Sequence, residues 1–109
     1  MAEERIKKAI NLLKVLLKER NIKVDKILVF GSRAKRSFRE DSDIDIAIIS
    51  GEFEGKDIFQ RTGMLKGLKW ELVGKFMLPF DIICISLKEW RESSSLIVEY
   101  IKEEETLSF

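Results

Sequence analysis

Three short apolar runs constrain this chain more than any other feature. Ile27-Leu28-Val29-Phe30 ends at Gly31, the run from Asp43 to Ile49 ends at Ser50-Gly51, and Phe80 to Ile85 follows Pro79. Each is too short for a buried helix and is bounded by turn residues, so each is read as a strand. The segments around them carry helical spacing. Ile6, Ala9, Ile10, Leu13, Leu16 and Leu17 recur at three- and four-residue steps, and the helix they predict ends near Arg20-Asn21, where Asn suits a carboxyl-terminal cap. From Asp57 to Val73 the stripe is Ile58, Leu65, Leu68 and Leu72, with Gly74 as the expected stop. Gly63 and Gly67 inside that segment weaken it as a helix and would permit close packing against a sheet. Ser86-Leu87-Lys88-Glu89 matches a capping box, opening a last helix with Trp90, Ile97 and Ile101 on one stripe that frays into Glu103-Glu104-Glu105. The expected order is helix, strand, loop, strand, helix, strand, helix. That is one α/β domain over 1–109, a small mixed sheet of about three strands flanked by helices.

Composition narrows the chemistry. A chain of 109 residues holds one core, and 45% hydrophobic with 36% charged residues is a globular balance. Twenty Lys and Arg against nineteen Asp and Glu leave a net charge of +1, so no bulk attraction to nucleic acid or an anionic membrane is expected. Histidine is absent, which excludes a Ser-His-Asp triad and any His-ligated metal. The single cysteine, Cys84, excludes an intrachain disulfide and reads as a small buried hydrophobe. No apolar run approaches the length of a membrane span, because Lys or Arg interrupts every candidate, and Met1-Ala2-Glu3-Glu4 is acidic where a secretory leader would be basic, so a cytoplasmic protein is expected. Trp70, Trp90 and Tyr100 read as packing residues. Carboxylates, hydroxyls, cations and backbone amides remain to do the chemistry.

Asp43 and Asp45 are the most informative residues. Two apart on a strand, they share a face with α-carbons roughly 6.5 to 7 Å apart, while Ile44, Ile46 and Ile48 take the opposite face into the core. Adjacent anions need compensation, and a hard divalent cation with oxygen ligands supplies it. Taken alone, such a pair is more often a solvated strand edge. Two further features shift the reading. Gly31-Ser32 directly after a buried strand offers a tight turn whose backbone amides can cradle phosphate, although alone it is an ordinary turn. Asp81 joins the same face if the second and third strands are neighbours, and otherwise it is a strand-start residue facing water.

Gly31-Ser32, ten intervening residues, Asp43-Ile44-Asp45 and a later strand Asp together resemble the nucleotidyltransferase superfamily that includes DNA polymerase beta. The wider string, Gly31-Ser32-Arg33-Ala34 with Ser42-Asp43-Ile44-Asp45-Ile46, resembles its minimal nucleotidyltransferase (MNT) group. The resemblance covers nearly the whole chain. It departs at Lys35-Arg36, where family members often carry Gly, without removing a chemical group from the loop. It implies that Gly31 and Ser32 hold nucleotide phosphates, that Asp43 and Asp45 hold metal, and that Asp81 is the third carboxylate. Arg33 beside the turn is the best candidate phosphate contact, whereas Lys35, Arg36 and Arg39 fit a solvated basic loop at least as well.

The implied activity is transfer of AMP from ATP to a hydroxyl, with two Mg²⁺ ions clamping the α-phosphate and steadying the leaving pyrophosphate. Asp81 would coordinate or deprotonate the acceptor hydroxyl. The MNT resemblance further implies an antitoxin that adenylylates a tyrosine of a HEPN-domain ribonuclease toxin. One rival is a nucleotidyltransferase acting on a small molecule such as an aminoglycoside, which usually needs a second domain for the acceptor. Another is a non-catalytic antitoxin that inhibits by contact, for which adjacent carboxylates serve no purpose. A nucleic-acid polymerase is least expected, because nothing in the chain corresponds to fingers or thumb.

Overall fold

Ala2–Glu19 form α1, and its stripe of Ile6, Ala9, Ile10, Leu13, Leu16 and Leu17 is buried throughout. The helix ends as its sequence predicts. Asn21 adopts φ 57°, its amide donates to the Lys18 carbonyl at 3.0 Å, and the Ile22 amide donates to the Leu17 carbonyl at 3.0 Å. That pair of bonds is a Schellman closure, with Ile22 folded back onto the core. The structure, a computed structural model, describes residues 2–31, 43–104 and 106–109.

The expected strands are present as β1 (Lys26–Phe30), β2 (Ile44–Ser50) and β3 (Phe80–Ser86). A fourth, β4 (Leu107–Ser108), lies beyond the acidic run, so the sheet has four strands in the order β3-β2-β1-β4. It is mixed: β1 runs antiparallel to both β2 and β4, and β2 runs parallel to β3. Two residues of strand carry too little pattern to be read from sequence, and β4 is placed by its pairing of Leu28 with Ser108.

Two expected helices are four. The segment after the 3₁₀ turn Gly51–Phe53 divides into α2 (Ile58–Met64) and α3 (Leu68–Phe76), and the last segment into α4 (Leu87–Glu92) and α5 (Leu96–Glu103). Gly67 at φ 81° makes the first break, which only a residue without Cβ adopts readily. Among the described residues, Gly63 has no neighbour within contact of a Cβ position and Gly67 has only Arg20, so neither packs closely on the sheet. Gly74 does not stop α3, which runs on to Phe76 and closes at Met77 in the left-handed region. Ser93 in the same region separates α4 from α5.

Helices cover both faces of the sheet. Ile27, Val29, Ile44, Ile46 and Ile48 pack beneath α1 and α3, while Leu28, Phe30, Ala47, Ile49 and Ile85 pack beneath α5 through Val98 and Ile101. The face shared by Asp43 and Asp45 is therefore core from Ala47 onward. Among the described residues, no helix is long and apolar enough to cross a membrane.

Candidate active site

Strand register brings two of the three aspartates together. β2 and β3 pair in parallel with Asp45 opposite Asp81, anchored at the strand start by the Ile44 amide donating to the Pro79 carbonyl at 2.8 Å. Neighbouring strands lie about 4.8 Å apart, so the two carboxylates stand side by side. Asp43 sits two residues earlier, immediately before β2. On its other flank Asp45 is paired with Phe30, the last residue of β1. The cluster thus occupies the sheet end where β2 and β3 begin and β1 finishes.

Asp43 and Asp81 are exposed, and Asp45 is half-buried. Burial pushes the Asp45 carboxyl above its ordinary 3.8, and the charges of Asp81 and then Asp43 push it further the same way. A site that raises the proton affinity of a carboxylate also raises its appetite for a metal cation, because either one removes the same repulsion.

Gly31 completes the described part of the site. It is buried, adopts φ 74°, and a Cβ built on it would collide with Oδ2 of Asp45. The backbone at Gly31 therefore lies directly against the carboxylate, an approach that a side chain at this position would block. Ser32 and Arg33, and with them Lys35, Arg36 and Arg39, lie outside the described residues.

The donors fit one class of ion. Among the described residues, no three His, Cys, Asp or Glu side chains form a ready-made metal cage. The carboxylates are hard oxygen donors, open on the solvent side. Such a set suits Mg²⁺, which binds through one or two carboxylates and fills its shell with water and substrate phosphate.

Other candidates fall away. Cys84 lies three residues from Asp81 on the other face of β3, and burial raises its thiol to about 11 although Arg61 acts the other way, so it is no nucleophile. Trp70 is 76% exposed and does not belong to the core. Trp90 packs against the α5 face, with the Lys102 ammonium 4.8 Å from its ring centre.

Two features had no signal in the sequence. Tyr100 of α5 meets the Phe30 ring edge-on at 6.5 Å between centroids, which places an aromatic pair beside Asp45. Arg61 of α2 reaches the outer side of β3, donating to the Cys84 carbonyl at 3.2 Å and pairing with Glu89 at 2.6 Å. Both depend on pairings between distant segments, which residue spacing does not encode.

A family model described as polymerase beta nucleotidyltransferase matches residues 11–107. Solved structures share the architecture. A putative nucleotidyltransferase from Sulfolobus solfataricus is 22% identical, with a TM-score of 0.54 over 96% of this chain and 85% of its own. A toxin–antitoxin structure with AMP-PNP is 21% identical, with a TM-score of 0.58 over 99% of this chain and 72% of its own. A mutant of the toxin–antitoxin MntA-HpeT is 18% identical, with a TM-score of 0.58 over 90% and 69%. No curated protein matches the chain.

Proposed function

This chain belongs to the polymerase beta nucleotidyltransferase family, and on that premise we propose that it moves AMP from ATP to a hydroxyl of a partner protein, as the antitoxin of a toxin–antitoxin pair. The observation that carries the reading is the register of Asp45 with Asp81 beneath Gly31. Asp43 and Asp45 hold the cation. Gly31 and Ser32 meet the phosphates through backbone and hydroxyl groups, and Arg33 adds charge. Asp81, exposed on the neighbouring strand, takes the proton of the acceptor hydroxyl. A bond forms between the acceptor oxygen and the α-phosphorus, the bond to the bridging oxygen breaks, and pyrophosphate leaves with its electron pair. When bound, Mg²⁺ supplies the positive charge that neutralises the phosphates along this path.

A protein acceptor suits a site whose outer carboxylates are open to solvent. The likeness to two toxin–antitoxin structures supports a toxin as that partner, and the MNT resemblance supports a HEPN ribonuclease with a tyrosine acceptor. The test is the double substitution Asp43→Asn with Asp45→Asn. It abolishes AMP transfer to the partner while the circular dichroism spectrum of the fold is kept. Transfer at the wild-type rate by that variant would remove the site.

A further inference from the structure

β3 is an edge strand, and its outer side is protected along only half its length. The bond from the Ile44 amide to the Pro79 carbonyl sets the alternation, so the backbone groups of Asp81, Ile83 and Ile85 face β2 and those of Ile82, Cys84 and Ser86 point outward. At the far end these are satisfied: Arg61 caps the Cys84 carbonyl, and the Ser86 amide donates to Glu89 at 3.0 Å. Nearer Asp81 they are not. Among the described residues nothing bonds the outward amide and carbonyl of Ile82 or the amide of Cys84. Bare edges are normally blocked, since they are templates for another strand.

A cavity of about 580 Å³ follows this bare stretch, walled by Asp81, Ile82, Ile83 and Cys84 on one side and by Ile58 and Thr62 of α2 on the other. A second, of about 750 Å³, shares Ile82 and Cys84 and carries the groove onward past Phe59 and Trp70, which are 84% and 76% exposed. One end of the groove is therefore a carboxylate of the transfer site and the other is apolar.

We propose that this groove docks the acceptor as an extended peptide, added to the edge of β3 through the backbone groups of Ile82. The proposal rests on the transfer reading above and names how its acceptor is held. A strand in that position exchanges main-chain hydrogen bonds with Ile82 and turns alternate side chains toward α2. A hydroxyl-bearing residue at its leading end arrives beside Asp81. Recognition by main chain also explains how so open a site holds its acceptor near the α-phosphorus, which productive transfer requires.

The experiment compares AMP transfer to free tyrosinamide with transfer to a pool of random-sequence peptides carrying one central tyrosine. Two variants act on the groove, and the second of them spares the core on which the Ile82 side chain packs. Ile82→Pro deletes the outward amide, at an edge position where proline is tolerated. Thr62→Arg fills the groove from an exposed site on α2 without touching the strand. The accepted peptides are expected to exceed tyrosinamide in kcat/KM by on the order of tenfold. Both variants erase that advantage through KM, while turnover of tyrosinamide and affinity for ATP with Mg²⁺ stay unchanged. An advantage that survives both variants overturns the proposal, as does a pool no better than tyrosinamide. So does a dimer that Ile82→Pro dissociates, because the edge then belongs to a second copy of the chain. If no hydroxyl of any kind accepts AMP, the transfer reading itself fails and the docking falls with it.

Discussion

Gly31 and Asp45 compete for one volume: a Cβ on Gly31 would overlap Oδ2 of Asp45 and lie 3.4 Å from its Cγ. The backbone at φ 74° is itself one that L-residues with side chains avoid. Both constraints act together at Gly31, whose backbone lies against the carboxylate.

Gly31→Ala therefore strains the backbone and displaces the carboxylate at once. The expected stability loss is about 1–3 kcal/mol. The expected fall in AMP transfer is larger in consequence, on the order of 100-fold, because a small displacement of a reacting group is costly. Urea denaturation and steady-state kinetics on the same preparation measure the two. A variant with weakened stability and normal turnover would show that Gly31 serves only the turn.

Asp45 carries a pH dependence with a definite sign. Burial, then Asp81, then Asp43 raise its carboxyl above 3.8 in the folded chain. A raised carboxylate pKa means that the folded state binds the proton more tightly, so this group's contribution to stability grows as pH falls through the raised value and is unfavourable above it. Asp45→Asn removes the repulsion at every pH. Without divalent cations, its melting temperature at pH 7 is expected to exceed that of the wild type, with transfer abolished. A lower melting temperature at pH 7 would count against charge repulsion as the main cost of the site.

The parts legible in the sequence are those encoded by local spacing. The buried stripe of α1, the Asn21 cap and the Ser86–Glu89 box need only neighbours within a turn of helix, and all are present. The fold class followed from strands alternating with helical patterns. The face of Asp45 followed from alternation, whereas its pairing with Asp81 depended on strand order, which no spacing reveals. The breaks at Gly67 and Ser93 were missed for a physical reason. Apolar periodicity continues across them, and only a backbone conformation interrupts it.

The capping box at α4 gives a prediction separate from catalysis. Ser86 is 3% exposed, and its hydroxyl accepts from the Glu89 amide at 3.1 Å. Ser86→Ala is expected to cost about 1 kcal/mol, the usual loss for an amino-terminal cap. Burial pushes the Glu89 carboxyl up, but the Ser86 amide, the Arg61 guanidinium and the Ser86 hydroxyl outweigh it and hold the group below 4.5. A lowered carboxylate pKa contributes stability above 4.5 that is lost as pH falls through the lowered value. Glu89→Gln should accordingly flatten the acid limb of the stability profile. Affinity for ATP should not change, since this box lies at the opposite end of β3 from Asp81.

Metal binding and nucleotide binding are expected to be interdependent at this site. With no three-residue cage among the described residues, Mg²⁺ alone has two or three open carboxylates and little else to hold it. Its preference for octahedral coordination is met only when phosphate oxygens supply further ligands. Mg²⁺ by itself is therefore expected to move the melting temperature little, and ATP without a divalent cation should do the same, because its phosphates then face the repulsion of Asp43, Asp45 and Asp81. Together they are expected to bind the native state and stabilise it by mass action, by about 2.7 kcal/mol at a concentration one hundred times Kd. For a domain of this size that corresponds to a rise on the order of 10 °C. Differential scanning fluorimetry with Mg²⁺, with ATP plus a chelator, and with both reads the three conditions directly. The joint shift should vanish in the Asp43→Asn, Asp45→Asn double variant. A full shift from ATP and chelator would mean that nucleotide binding does not pass through the carboxylates, and equal shifts in the double variant would place the nucleotide elsewhere on the chain.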